Sequence, residues 1–333
     1  MVDGGIQTKI VRSHSFDPWF NIALEEKLLA DLLANEIILY LWQNDNTVVI
    51  GRNQNAWKEC AWEQLEKDGG KLARRLSGGG AVYHDLGNLN FTFLAPRKYY
   101  DIEKQLSVIL AALKKLGVNA EFSGRNDLLL DGKKFSGHAY YYQSQAAYHH
   151  GTIMVHSQLE KLSKYLNPSK KKIAAKGVES VRSRVTNIGE NSKEITISSV
   201  TESFIESFSE LYQEPSDEVH IHEEASEVMG LYEKFASWDW RFGQSPLFDI
   251  SLTERFPWGE IDLKLHTING RIDSCAVYSD AMDEEMIRRI SPLLTGCLLE
   301  KENLVRALDP LAREVQDSTV IDEIKLWLGS LDL

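Results

Sequence analysis

Apolar and polar residues follow two different periods along this chain. A helical period marks the stretch after Asp17 and Pro18, two residues that typically begin helices. A strand period, with β-branched and aromatic residues between turn residues, marks many shorter segments. The predicted helices cover residues 17–33, 57–67, 102–116, 159–166, 200–212 and 284–290. The predicted strands cover residues 36–42, 47–50, 71–76, 88–94, 128–130, 134–140, 147–155, 248–252, 259–267 and 271–278.

Short polar turns join several of these strands and indicate the fold class. Asn44-Asp45-Asn46 separates the first two strands and predicts that they form a β-hairpin. Asp131-Gly132 is a type I′ hairpin signal, and Asn269-Gly270 predicts another tight turn. Hairpins outnumber strand–helix–strand units, so the pattern predicts an α+β fold with mostly antiparallel sheets rather than a doubly wound one.

The chain of 333 residues, 43% of them hydrophobic, is long enough for a large domain and a small one. The aromatic-rich segment 238–246 ends in turn residues, and we place a domain boundary directly after it. The prediction is a large domain of residues 1–246 and a small α+β domain of residues 247–333.

Charge and cysteine content exclude several classes of protein. The net charge of −12 argues against general binding to nucleic acid or to membrane surfaces. Three separated cysteines, without C-x-x-C spacing, indicate a reducing compartment. The first fifteen residues contain no apolar signal-peptide core, and no stretch approaches a membrane span, so we expect a cytoplasmic protein. Residues 170–187 form a local basic run in this acidic protein, and the run is either a solvated surface or an interaction site.

Residues 71–88 carry the strongest candidate chemistry. Arg74 and Arg75 precede the run Ser77-Gly78-Gly79-Gly80, whose amides can form a concave anion site. Guanidinium groups add planar donors that suit phosphate or carboxylate. The spacing fits neither a P-loop nor a Rossmann fingerprint. The run therefore predicts either a site for an anionic ligand such as a nucleotide or a glycine-rich hairpin with solvated arginines.

The segment from Arg74 to Asn88 resembles the signature of lipoate–protein ligases. Further motifs of that family follow in the same order, and the resemblance runs from about residue 15 to the end of the chain. Several motifs in one order are far more specific than any one alone. They are Asp17-Pro18-Trp19-Phe20-Asn21, Thr47 to Arg52, Gly124-Arg125-Asn126-Asp127, Lys134-x-Ser136-Gly137-x-Ala139, His149-His150-Gly151-Thr152 and Lys176 to Asn187.

The resemblance implies a catalytic core related to biotin–protein ligases, with class II synthetase-like sheets. It implies that lipoate and MgATP give lipoyl-AMP and pyrophosphate, and that the lipoyl group then passes to a lysine of an acceptor protein. The implied acceptors are the lipoyl domains of 2-oxoacid dehydrogenase complexes and the glycine-cleavage H protein. ATP and Mg²⁺ are the implied cofactors, and we expect a monomer.

Two implied site residues flank the predicted Asp131-Gly132 turn. By the resemblance, Lys134 bridges the lipoyl carbonyl and the α-phosphate, and one cation between two anions suits a step in which both meet. Asp127 is the implied Mg²⁺ ligand. Without the family, Lys134 reads as an exposed lysine after a tight turn, and Asp127 as a turn residue.

The remaining implied site residues bind the nucleotide and the lipoyl group. Arg75 and the turn Gly80-Ala81-Val82-Tyr83 hold both groups, and Trp42 and Val48 wall the lipoyl tunnel or belong to ordinary core. His138 stands where relatives often have a small residue, so acyl-chain preference can differ if that position faces the chain.

Other activities on the same scaffold stay open at this point. An octanoyl or lipoyl transferase that works without ATP needs a nucleophilic cysteine near the Lys-x-Ser-Gly motif. No cysteine lies between Cys60 and Cys275, which disfavours that alternative. A transferase that accepts preformed lipoyl-AMP and a non-catalytic lipoate carrier are further alternatives. Lipoate-dependent release of pyrophosphate distinguishes all three from a ligase.

Overall fold

The computed structural model describes residues 6–123, 127–166, 185–190, 192–213, 216–223, 226–242, 249–314 and 318–331. The strands are β1 (Gln7–Ser13), β2 (Glu36–Trp42), β3 (Thr47–Ile50), β4 (Lys71–Arg74), β5 (Val82–His84), β6 (Asn88–Pro96), β7 (Glu121–Phe122), β8 (Asp127–Leu130), β9 (Lys133–Tyr142), β10 (Ala146–Met154), β11 (Ser216–Ile221), β12 (Ile250–Phe256), β13 (Gly259–Ile268) and β14 (Arg271–Ser279). The α-helices are α1 (Pro18–Ala30), α2 (Ala56–Glu59), α3 (Trp62–Lys67), α4 (Ile102–Lys115), α5 (Leu159–Tyr165), α6 (Ile197–Tyr212), α7 (Met229–Ala236), α8 (Trp238–Phe242), α9 (Glu284–Leu294), α10 (Lys301–Ala307), α11 (Asp309–Glu314) and α12 (Thr319–Gly329).

A large mixed sheet has the strand order β11-β1-β2-β6-β10-β9-β8-β7. Strand β1 runs parallel to both β2 and β11, whereas the pairs from β2 to β7 are antiparallel. The predicted α+β class with mostly antiparallel sheets is therefore confirmed. One face packs against α4 and α6 in a core that contains Phe91 and Phe204, and the other face packs against α1.

Strand β6, predicted over residues 88–94, alternates apolar and polar residues and is nevertheless buried along its whole length. Phe91 and Phe93 face the core under α4 and α6. Asn90 and Thr92 face α1, and both are also buried. The alternation thus marks a strand between an apolar face and a polar interior, because helices cover both sides of the sheet.

The three-stranded sheet β4-β3-β5 corrects two predictions. Strands β2 and β3 do not form a hairpin: β2 lies between β1 and β6 in the large sheet, and β3 pairs in the small one. The glycine run does not close a hairpin either, because β4 and β5 lie on opposite sides of β3.

Local signals predicted several boundaries correctly. The Asp17 carboxylate accepts a hydrogen bond from the amide of Trp19 at 2.8 Å, which caps α1. Asp131 and Gly132 both have positive φ angles, 51° and 73°, as a type I′ turn requires. The predicted helix over 57–67 is instead divided into α2 and α3.

Two neighbouring strands at the parallel edge of the large sheet, β1 and β11, were not predicted from the sequence. The register of β1 with β11 joins residues about 200 positions apart, such as Val11 and Val219. A local sequence pattern cannot indicate such a pairing, because strand formation here depends on contacts with a distant segment.

Backbone contacts divide the described chain into two compact units. The first contains the described residues of 1–49, 57–75 and 82–241, and the second contains those of 50–56, 76–81 and 242–333. The second unit has the antiparallel sheet β12-β13-β14, packed on α9 to α12 around its own apolar core. The predicted boundary after residue 246 lies outside the described residues and stays a prediction. No helix in the described ranges is long and apolar enough to cross a membrane.

Candidate active site

Lys134 lies on β9 beside a β-bulge. Ser136 and Lys134 pair with the consecutive residues Leu128-Leu129 of β8, which leaves Phe135 without an opposite residue in that described strand. One extra residue reverses the alternation of side chains between the two faces of a strand. Lys134 consequently shares a face with Gly137, where an added Cβ would lie only 3.1 Å from Lys134 Nζ. The bulge turns the lysine to this face, and the glycine leaves room for it.

The Lys134 ammonium group is paired but accessible. Its Nζ lies 2.7 Å from Asp127 Oδ1, and the two side chains are 37% and 30% exposed. The Lys134 carbonyl accepts a hydrogen bond from the amide of Thr186 at 2.9 Å. The fold thus brings together Lys134 and Asp127, two residues that the sequence placed at the site. The neighbouring motif residues Gly124-Arg125-Asn126 lie outside the described residues.

A buried polar network lies between α1 and the large sheet, on the face of β10 that carries Thr152, whose hydroxyl accepts the Gly137 amide at 3.2 Å. Glu25 of α1 accepts a hydrogen bond from the Thr92 hydroxyl at 2.7 Å, and the same oxygen lies 2.9 Å from His150 Nδ1. The Trp42 indole donates to the Thr92 hydroxyl at 3.1 Å. Trp42, predicted as a tunnel wall, therefore borders a polar interior.

Arg75 and His84 extend this network. Arg75 is 6% exposed, and its Nη1 donates to the Val49 carbonyl at 3.3 Å. Burial lowers the pKa of Arg75 to about 10, so the group remains charged at neutral pH, and the nearby Glu25 favours that charge. Burial, with a smaller contribution from Arg75, lowers the pKa of His84 to about 3. Neutral His84 lies with Nδ1 3.2 Å from the Asn44 amide nitrogen, which assigns the proton to Nε2.

Several buried polar atoms around Trp42 have no hydrogen-bond partner among the described residues. They are Glu25 Oε2, His84 Nε2, Asn88 Oδ1 and Asn90 Nδ2. An unpaired buried polar atom costs about 1–3 kcal/mol, so native proteins pair such atoms with water or a ligand. Trp42 pairs opposite Asn90, and its ring meets the His84 ring edge-on at 6.2 Å. The cluster can therefore receive a ligand that combines apolar and polar groups.

Strands β3 and β5 hold three of the predicted site residues. Val48 pairs with Tyr83 and Val49 with Val82, and Val48 is fully buried. The Tyr83 hydroxyl donates to Asn46 Oδ1 at 2.9 Å. Tyr83 is thus fixed at its tip, and Val48 lies buried in the middle strand of the small sheet.

The glycine run belongs to the second compact unit, including the predicted ligand residues Gly80 and Ala81. The Gly79 amide donates to the Ala281 carbonyl at 2.9 Å. A Cβ on Gly78 would lie 2.4 Å from the Ala281 carbonyl oxygen, whereas a Cβ on Gly80 would meet nothing within 4 Å. Gly78 is therefore required for close packing, and Gly80 is the glycine that borders open space.

Sequence reasoning missed Glu25, Thr92 and the role of His150 in the network. Glu25 could have been found, because it falls on the apolar face of α1 between Ile22 and Leu29. A glutamate at such a position is rare unless it is paired. Of the basic run at residues 170–187, residues 170–184 lie outside the described residues.

His138 does not share the face of Lys134. It lies on the core side of the sheet, where its ring stacks on His149 with centroids 4.9 Å apart. His138 directly follows Gly137, so its side chain points to the face of β9 opposite to the one that Gly137 shares with Lys134.

Family models match both parts of the chain. A model described as the lipoyl protein ligase A/B catalytic domain matches residues 17–209. A second model, the bacterial lipoate protein ligase C-terminus, matches residues 245–328. A lipoate-protein ligase A from Psychrobacter cryohalolentis is 40% identical over 97% of this chain and 98% of its own length.

Solved structures support the same relationship. P. falciparum LipL1 in complex with lipoate has a TM-score of 0.84 at 30% identity and covers 97% of this chain and 100% of its own. A lipoate-protein ligase A bound with ATP has a TM-score of 0.61 at 28% identity, with 72% and 99% coverage. A bi-partite lipoate protein ligase from Thermoplasma acidophilum, studied with its E2 lipoyl domain, has a TM-score of 0.65 at 28% identity, with 74% and 100% coverage. The chain described here therefore belongs to the lipoate–protein ligase family.

Proposed function

We propose that this protein activates lipoate with MgATP to give lipoyl-AMP and pyrophosphate, and then transfers the lipoyl group to a lysine of an acceptor protein. The main observation in support of this proposal is the position of Lys134. This partly exposed cation is turned by a β-bulge to the sheet face where the buried polar network lies. Lipoate and ATP in structures of similar proteins support the choice of substrates.

The first step joins two anions. A lipoate carboxylate oxygen attacks the α-phosphorus, and the bond from that phosphorus to the β-phosphate oxygen breaks, which releases pyrophosphate. The Lys134 ammonium, placed between the carboxylate and the α-phosphate, offsets their repulsion and stabilises the charge of the transition state. A compact ammonium group suits this position better than a planar guanidinium.

Asp127 and Arg75 take supporting roles. Mg²⁺ bound together with ATP would use one or two protein carboxylates besides phosphate oxygens, and Asp127, the carboxylate next to Lys134, would be one of them. Arg75 is a buried, charged guanidinium beside an interior with unpaired polar atoms. It holds the anionic part of the ligand, together with Gly80-Ala81-Val82-Tyr83 of the signature. Trp42 and Val48 contact the lipoyl chain.

The second step transfers the acyl group. The amine of the acceptor lysine attacks the lipoyl carbonyl carbon, an amide bond forms, and the bond to the phosphate oxygen breaks, which releases AMP. Lys134 polarises the same carbonyl. The proposed acceptors are the lipoyl domains of 2-oxoacid dehydrogenase complexes and the glycine-cleavage H protein. The E2 lipoyl domain studied with the Thermoplasma acidophilum ligase supports the first class.

Transfer without ATP, through a cysteine thioester, is the second candidate, and the cysteines argue against it. Burial raises the pKa of Cys60 to about 12, and it raises the pKa of Cys275 to about 12 as well. A thioester-forming cysteine needs the opposite, a lowered pKa that supplies thiolate. We also infer that the ligase acts in the cytoplasm, in keeping with its cysteine content, and that it acts as a monomer.

Pyrophosphate release tests the proposal. The full chain is incubated with ATP and Mg²⁺, with and without lipoate, and then with an apo lipoyl domain or apo H protein. The proposal predicts release that depends on lipoate, and a mass increase of one lipoyl group on the acceptor. Lipoylation of the acceptor from a thioester donor without ATP would instead support the transferase, and ligand binding without any pyrophosphate would support a carrier.

A further inference from the structure

A chain of buried hydrogen bonds runs through the core behind Lys134. The Ser136 hydroxyl lies 2.9 Å from His138 Nε2, and His138 Nδ1 lies 2.7 Å from His149 Nε2. His149 Nδ1 lies 3.1 Å from Gln105 Oε1 on α4. All four side chains are buried, so the chain ties β9 and β10 to the helix that covers them.

The hydrogen bonds of this chain all point in one direction. Burial lowers the pKa of His138 to about 3 and that of His149 well below its ordinary value, so both imidazoles are neutral at neutral pH. A neutral imidazole has one N–H donor and one acceptor nitrogen. With the Gln105 amide oriented so that Oε1 faces the ring, this oxygen only accepts, so His149 carries its proton on Nδ1 and accepts at Nε2. His138 then donates from Nδ1 and accepts the Ser136 hydroxyl at Nε2, which gives both rings the same tautomer.

The chain begins directly after the bulge that turns Lys134. Ser136 and His138 both lie on the core side of β9, whereas Lys134 and Gly137 share the other side. A slip of one residue at Phe135 would reverse every side chain that follows it. Ser136 and His138 would then leave the core, and His149 and Gln105 would be buried without their partners, which destabilises the slipped register.

We propose that Ser136, His138, His149 and Gln105 are positioning residues that hold the bulge in one register and thereby aim Lys134. This inference rests on the proposed role of Lys134 in lipoate activation. Apolar residues at these four positions would pack this core equally well, because well-packed apolar side chains can often replace buried polar ones without loss of stability. Gln105 Nε2 is buried without a partner among the described residues, whereas Gln105 Oε1 and the other three side chains pair in a single direction. This directed pairing specifies the register, which apolar contacts do less well.

Enzyme kinetics test the positioning role. Ser136→Ala removes the first donor, and we expect kcat for lipoate-dependent pyrophosphate release to fall about tenfold or more, because small misplacements of a reacting group are costly. KM for ATP should change little. Ser136→Thr restores the hydroxyl and should recover most of the lost kcat. Tyr140→Phe is the matched control, since this ring stacks on His149 at 4.9 Å while its hydroxyl is outside the chain, and its kcat should match wild type.

A purely structural role gives a different result. In that case Ser136→Ala lowers the melting temperature but retains wild-type kcat in the folded enzyme, and the positioning proposal is overturned. If the wild-type protein itself releases no pyrophosphate with lipoate, the proposed function fails. The existence of the hydrogen-bond chain is then tested by spectroscopy alone.

Imidazole ¹⁵N–¹H spectra of the wild-type protein provide that readout, which is independent of activity. We expect two buried histidines that stay neutral well below the ordinary pKa of histidine and both carry the proton on Nδ1. Opposite tautomers would place two donors or two acceptors between His138 Nδ1 and His149 Nε2, and would overturn the chain.

Discussion

Substitution of Gly78 by alanine separates the packing role of the glycine run from its ligand role. A Cβ at this position would lie 2.4 Å from the Ala281 carbonyl oxygen and 2.5 Å from that of Met282. Both neighbours are backbone atoms, which cannot rotate away as a side chain can. The run must therefore move away from the segment around residue 281, within the second compact unit.

The size of the effect follows from these distances. Ordinary contacts of a Cβ begin near 3.4 Å, so the backbone must shift by about 1 Å. Overpacking of this kind typically costs about 1–3 kcal/mol. The shift also breaks the Gly79–Ala281 hydrogen bond of 2.9 Å and displaces Gly80, a proposed nucleotide ligand. We expect KM for ATP to rise about tenfold, which corresponds to about 1.4 kcal/mol of binding energy.

Urea unfolding and steady-state pyrophosphate release measure the two effects on one variant. Gly230→Ala is the control, since its Cβ meets nothing within 4 Å and the residue lies in α7. That control should keep wild-type KM and gain at most about 1 kcal/mol of stability from helix propensity. Wild-type stability and wild-type KM for Gly78→Ala would refute the packing argument.

Three further substitutions test separate parts of the site and fold. Arg75→Lys should raise KM for ATP although charge is kept, because the planar fork is lost; an unchanged KM would make Arg75 structural only. Gly137→Ala places a Cβ 3.1 Å from Lys134 Nζ and should lower kcat about tenfold by displacing the ammonium, whereas wild-type kcat would show that the lysine needs no fixed place. Burial raises the pKa of Glu284 to about 7 from an ordinary 4.5, so folding takes up a proton between these values and stability falls as pH rises from about 5 to about 7. Glu284→Gln should flatten that part of a melting profile, and parallel profiles for variant and wild type would contradict the assignment.

Features that depend on neighbouring residues could be predicted from the sequence. Asp17 caps α1 through an amide two residues away, and Asp131-Gly132 forms its turn with its own backbone. The period of β6 was also legible, because alternation depends on the strand itself. The co-linear motifs identified the family for a different reason: each is weak, but their common order is specific.

Features that depend on distant parts of the chain could not be predicted. The pairing of β1 with β11 joins segments about 200 residues apart. Strand β3 pairs with β5, which comes later in the chain, and not with its neighbour in sequence, β2. The bulge at Phe135 is visible only in the register of two strands. Its consequence, the reversed face of Lys134, decides the chemistry of the site. Local propensity carries no information about such a register shift.

The most direct test of the account is the rate of lipoyl-AMP formation by Lys134→Ala. The cation between two anions contributes most in the step where they meet, so we expect a loss of about a hundredfold or more. Lys134→Arg should not restore the rate, because a planar fork cannot replace a compact ammonium. Transfer from supplied lipoyl-AMP to an apo acceptor should fall less, since the mixed anhydride is already activated. Lipoyl-AMP formation by folded Lys134→Ala at a rate near that of wild type would contradict the central role of this lysine.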